Sequence, residues 1–333
     1  MTDTGATAAL SARLRPVEAG GLVVATHFLE STAAIVLGEE ALLLVARNGE
    51  THRSPVHAGA ILSSASDGEG VVTGGDDGKV IATDGAGRST LIAVDPKRRW
   101  VDRVAAASGA VAWSAGRQVF VRTRKGEERT LEVPSSVGGL AFAPKGFRLA
   151  IAHYNGATLW FPNAAAAPER LEWKGSHLLV SFSPDGKFLV TAMQERMLHG
   201  WRLADGKHMR MSGYSAKVRA LDWAHDGDWL ATGGSNQLIL WPFAGKDGPM
   251  GQAPRMLAPM QALVVAVACH PKQPLAAVGY SDGLVLMVRI EDGAEIVVKP
   301  PGPAPVSALA WNRSGTLLAF GTEAGEAGIV DLA

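Results

Sequence analysis

Residues 180–201 read VSFSPDGKFLVTAMQERMLHGW, and this stretch decides the fold. Three short apolar runs are cut apart by two turns. The first turn is Pro184-Asp185-Gly186, where Pro presets φ and Gly supplies the positive φ that a tight reversal needs. The runs are about four to six residues long and partly β-branched or aromatic, too short for helices and suited to strands.

The same plan repeats outward in both directions. LAFAPKGFRLAIAHYNGATLWF starts at Leu140, and LDWAHDGDWLATGGSNQLILW at Leu221. VACHPKQPLAAVGYSDGLVLMV starts at Val267 and LAWNRSGTLLAFGTEAGEAGIV at Leu309. Asn155-Gly156 and Ser281-Asp282-Gly283 mark second turns, since Asn, Asp and Gly tolerate positive φ in hairpins. Weaker copies start at Val24, Ala65 and Ala105. Anchored at the first-strand core position, the copies fall at Phe28, Ser64, Ala106, Phe142, Phe182, Trp223, Cys269 and Trp311. The intervals are 36, 42, 36, 40, 41, 46 and 42 residues. A more polar fourth run precedes each copy, as in Arg129–Val133, Arg170–Trp173 and Ala294–Val298. Four strands per unit of this length describe a propeller blade.

Across residues 12–333 the sequence resembles the WD40-repeat family. The Trp of the family's Trp-Asp ending stands at Trp160, Trp201 and Trp241, but Phe161, Arg202 and Pro242 replace the Asp. The Gly-His pair is missing, with His57 and His177 near its expected place. The resemblance implies an all-β fold: a closed β-propeller of four-stranded antiparallel blades. Eight blades are expected. The alternative is seven, with the weak copy near Ala106 or Phe28 as an insertion. Residues 1–11 are expected to form a flexible tail and 12–333 a single propeller. In it, residues 12–17 would pair with the strand near 328–332 and close the ring, hiding edges that invite aggregation.

Composition narrows the function. Charged residues make up 19% of the 333, and 32 Lys plus Arg balance 32 Asp plus Glu. A neutral chain lacks the global basic field of a non-specific nucleic-acid binder. Cys269 is the single cysteine, which excludes an intrachain disulfide and fits the cytoplasm. No signal peptide and no membrane span are read. Neither a G-x-S-x-G nor a P-loop pattern occurs. Asp222 is the one carboxylate among the clearest innermost strands, and the histidines show no ligand spacing, so no catalytic residue, metal or cofactor is expected. Cys269 takes an aromatic's place at a core anchor and reads as buried and inert.

The resemblance also implies that second-hairpin turns and blade-to-blade connections share one face, the top. On that face the reading places Trp100, Tyr154, Tyr214 and Tyr280. With them go Lys97, Arg98, Arg99, Arg103, Arg196, Lys217 and Arg219. Arginines and aromatics are the usual substance of binding hot spots. The function implied is a non-catalytic scaffold that binds a protein or peptide, acidic in character, through this face, with no small-molecule substrate. Two alternatives are a propeller hydrolase or lactonase with a channel metal, and nucleic-acid binding through the Lys97–Arg103 arc.

Overall fold

The computed structural model of the chain describes residues 13–107 and 109–333. The expected tail, residues 1–11, and residue 12 of the expected closing strand lie outside the described residues. Every regular element among the described residues is a strand. They gather in two compact units, one made of residues up to 54 and from 219 on, the other of residues 55–218.

The first unit opens with β1 (Leu14–Glu18), followed by β2 (Val23–Leu29), β3 (Thr32–Leu37), β4 (Ala41–Val45) and β5 (Thr51–Pro55). β2 to β5 form a four-stranded sheet in sequence order. Two more such sheets open the second unit. One holds β6 (Ile61–Ser66), β7 (Gly70–Gly75), β8 (Lys79–Asp84) and β9 (Ser89–Val94). The other holds β10 (Arg103–Ala107), β11 (Ala110–Ala115), β12 (Gln118–Arg122) and β13 (Glu128–Glu132). A six-stranded sheet follows: β14 (Gly139–Phe142), β15 (Leu149–Trp160), β16 (Glu169–Phe182), β17 (Phe188–Met193), β18 (Leu198–Arg202) and β19 (His208–Met211).

The remaining strands return to the first unit. β20 (Leu221–Trp223), β21 (Trp229–Thr232), β22 (Leu238–Pro242) and β23 (Arg255–Leu257) form one sheet. β24 (Val264–Cys269), β25 (Leu275–Tyr280), β26 (Val285–Arg289) and β27 (Glu295–Lys299) form the next. In the last, β28 (Val306–Trp311), β29 (Leu317–Thr322) and β30 (Glu326–Asp331) are completed by β1. β1 runs antiparallel to β30, from Leu14↔Val330 to Glu18↔Glu326.

Hydrogen-bonded sheets among the described residues thus number seven, the count of the alternative and not the eight expected. The difference lies in the six-stranded sheet, which carries the two repeats anchored at Phe142 and Phe182. His153 Nε2 lies 2.8 Å from Thr158 Oγ1. Five residues of straight strand would span about 16 Å, so β15 reverses at Asn155-Gly156 and holds two strand segments. Its first half pairs with β14, and its second half with the start of β16. The end of β16 pairs with β17. β16, one strand from Glu169 to Phe182, thus ties the two repeats into one sheet.

Apolar clusters lie between successive repeats in both units. Leu159 and Leu171 meet Phe182, Leu189 and Trp201. Val72 and Val80 meet Val104 and Trp113. In the first unit Val285 and Val298 meet Leu318, Phe320 and Val330. Period-2 alternation puts these side chains on the sheet faces, and each fully buried one contributes about 1.5–3 kcal/mol. Rigid, face-packed sheets leave the connections free to carry function.

Candidate functional site

The most exposed of the sequence-selected aromatics, Trp100 at 61%, ends the connection Asp95-Pro96-Lys97-Arg98-Arg99-Trp100 that follows β9. Asp95 organises it. Its buried carboxylate accepts from the backbone N–H of Lys97 (2.9 Å) and of Arg99 (3.1 Å), and from the Arg99 guanidinium (2.6 Å). Burial alone would raise the Asp95 pKa. The Arg99 guanidinium and the two backbone donors outweigh it and hold the carboxyl below the usual range. Arg99 also donates to Gln118 Oε1 at 2.8 Å. With the loop pinned in this way, Lys97, Arg98 and Trp100 are left exposed.

The hairpin between β7 and β8 supports the loop from below. Gly78 has φ of +77°, and a Cβ there would meet Arg98 Cα at 3.0 Å and Arg99 O at 3.1 Å. Asp77 of the same hairpin hydrogen-bonds His57 Nδ1 (2.9 Å) and accepts from the backbone N–H of Ala58 and Lys79. His57 Nε2 in turn lies 2.9 Å from Thr73 Oγ1. Burial works to raise the Asp77 pKa, but its bonds to His57, Ala58 and Lys79 prevail and lower it to about 2. A folded-state pKa below the unfolded one means that its stabilisation is complete above about pH 4 and is lost as pH falls toward 2. Asp77→Ala should therefore cost about 2–3 kcal/mol at neutral pH, by removing the acceptor of the buried His57 and of two backbone N–H groups. Urea titrations at pH 7 and pH 3 check this, and the gap between variant and parent should narrow at the lower pH.

The other sequence-selected residues divide. Tyr154 is 53% exposed and follows the buried His153 in β15. Arg196 is exposed, in a left-handed conformation (φ +55°), and donates to Ser215 O at 3.1 Å. Lys217 is half-buried and donates to Gln194 Oε1 at 2.9 Å. Arg103 is half-buried, its guanidinium donating to Gly138 O at 2.6 Å. All of these belong to the second unit. Arg219 is exposed but belongs to the first.

Three expectations are corrected. Arg99 is a bracing residue, since its guanidinium is held by Asp95 and Gln118. Tyr214 is buried, 8% exposed, in the connection between β19 and β20. Tyr280 is fully buried in the first unit. It follows Ala276 and Val278 in strand alternation and packs with them. Its hydroxyl donates to Ala258 O at 2.6 Å, and burial pushes its pKa up. That alternation was the signal that could have placed it in the core. Tyr280→Phe should cost about 1–2 kcal/mol by leaving the Ala258 carbonyl unpaired, measurable by chemical denaturation.

Beside Tyr154 opens a cleft of about 640 Å3, lined also by Ser135, His153, Arg170, Glu172, Trp173 and Lys174. Sequence reading missed it, because Arg170–Trp173 reads as an ordinary polar outer strand. His153 is bonded to Tyr154 O (2.9 Å) and Thr158, and burial lowers its pKa. Trp173 stacks on the fully buried His199, with ring centres 4.0 Å apart. His199 stacks in turn on His208 at 5.3 Å. Burial lowers the His199 pKa to about 3, with His177, His208 and Arg210 nearby adding to it, so it packs as a neutral ring.

Among the described residues no group of three or more His, Cys, Asp or Glu side chains is placed to hold a metal. Asp222 accepts from the backbone N–H of Cys269 (2.7 Å) and of Trp223 (2.9 Å), and burial raises its pKa to about 6. It bridges β20 to β24. Cys269 is buried, and its thiol pKa is pushed up, first by burial and then by Asp222. No described helix is long and apolar enough to cross a membrane.

The family described as "WD domain, G-beta repeat" matches residues 207–242, which run from the start of β19 to the end of β22. The chain folds as a β-propeller, and its residues 207–242 are similar to a WD40 repeat. The crystal structure of the computationally designed Ika8 protein is similar in fold. It covers 96% of this chain and 98% of its own, with a TM-score of 0.77 and 16% identity. No curated protein matches the chain in sequence. His57 is buried, and so is His177, whose Nδ1 lies 2.7 Å from Thr191 Oγ1. Asp77 stands at the turn beside His57. Glu195 stands at the turn beside His177 and accepts from the Ser176 N–H.

Proposed function

We propose that this propeller is a non-catalytic scaffold that holds an acidic protein or peptide against the loop surface of its second unit. The observation that carries the reading is the Asp95 connection, which spends a buried carboxylate on fixing a loop whose tip offers Lys97, Arg98 and Trp100 to solvent. A pre-ordered loop loses little entropy on binding, and Arg and Trp are the side chains that concentrate binding energy. Tyr154 and Arg196 extend the basic, aromatic surface of the same unit, and the exposed Arg219 is offered on the first unit. The single buried thiol supports a reducing compartment, the cytoplasm. Affinity capture from native extract tests the reading: a partner retained by the parent should be lost with Arg98→Glu/Trp100→Ala and kept with Lys187→Glu, which lies in the opposite, Pro184–Lys187 turn.

A further inference from the structure

We infer that the cleft between Tyr154 and Trp173 docks a short acidic segment of a protein partner, one carboxylate beside an aromatic or aliphatic side chain. This rests on the scaffold reading but uses a different surface from the Asp95 loop. At about 640 Å3 the cleft has the size of binding pockets, about 300–1,000 Å3, with room for a few side chains.

Its walls are fixed before anything binds. The Tyr154 N–H donates to Ser135 Oγ at 2.8 Å, and the Gly175 N–H to Asn155 Oδ1 at 3.3 Å. Trp173 is clamped from two sides. Its carbonyl lies 3.0 Å from His177 Nε2, and its ring is stacked on His199. Two aromatic surfaces, one 53% exposed, thus stand ready without rotamer ordering.

Charge selects the occupant. Arg170 and Lys174 line the cleft, both exposed, and neither side chain is in an ion pair or hydrogen bond among the described residues. The other basic arm of the unit is different, because Arg99 is already neutralised by Asp95. Glu172 is the one carboxylate lining the cleft. It repels a continuous polyanion, so the balance favours an isolated carboxylate over a nucleic-acid backbone. The buried His153 ring, bonded to Tyr154 O and Thr158 Oγ1, also lines the cleft.

A phage-displayed random octapeptide library, selected on the parent protein and counter-selected on Arg170→Glu/Lys174→Glu, tests this. Both substituted side chains are exposed, so the variant should keep the parent's melting temperature. Peptides that need the cleft should carry Asp or Glu next to an aromatic or aliphatic residue. Their affinity, read by fluorescence anisotropy, should fall about tenfold or more with the charge reversal and with Tyr154→Ala. It should hold with Lys174→Arg and with Arg98→Glu/Trp100→Ala. Cleft-dependent peptides that lack acidic residues overturn the proposal, as does a labelled oligothymidylate bound through the same residues. Peptides sensitive only to Arg98→Glu/Trp100→Ala overturn the cleft and leave the scaffold reading standing. Selection of no peptide by either surface overturns both.

Discussion

Cutting the chain before Gly20 is expected to lower the melting temperature by about 5–10 °C and to promote aggregation. β1 is the outer strand of the sheet it shares with β28, β29 and β30, and it reaches two apolar clusters. Val17 and Ala19, 8% and 2% exposed, pack with Val23, Leu37, Ala327 and Ile329. Leu14 packs on the cluster that holds Leu318 and Val330. Burying these side chains and a five-residue ladder contributes about 3–5 kcal/mol, after allowance for the entropy of ordering the strand. Removal also bares the edge of β30, with Ile329 and Val330 at its centre. Circular dichroism melts of the truncated chain and of Val17→Asp check the estimate. An unchanged melting temperature in both would show that β1 is decoration on an already complete sheet.

The strands were legible because their signal is local. Pro184-Asp185-Gly186 and His225-Asp226-Gly227 dictate reversals wherever they stand, and the apolar runs between such turns can bury only one way. The sheet count was not legible. Asn155-Gly156 predicts a hairpin, and the chain does reverse there, yet β16 runs on as one strand through Gly175 from one repeat into the next, with no turn residue to announce it. The candidate site was half legible. Trp100 and Arg98 could be read as loop residues from the Pro96 connection. Arg99 could not be separated from them, because its partner Gln118 comes from another strand. Tyr280 was misplaced by attention to the Ser281-Asp282-Gly283 turn, when its phase with Ala276 and Val278 carried the answer. The Trp173 cleft leaves no mark in the sequence, since it is made by strand segments meeting across β15 and β16.

Arg98→Glu/Trp100→Ala should weaken the partner by about 3–4 kcal/mol, some 200- to 1,000-fold, if these two residues are its hot spot. Trp100 offers the larger apolar area, and Arg98 offers donors for a carboxylate. Neither is needed for folding. Trp100 is 61% exposed, and the fixed part of the loop is Asp95 with Arg99. Melting temperature should therefore stay within the range of ordinary surface changes, while Lys187→Glu should leave both affinity and stability as they are.

The claim that the second unit binds through its Asp95 loop surface is tested most directly by hydrogen–deuterium exchange on the purified complex of this chain with its captured partner. The account predicts new protection at residues 95–100 and around Tyr154, with none in the Pro184–Lys187 turn. Protection confined to that turn, with residues 95–100 exchanging as in the free chain, would contradict it.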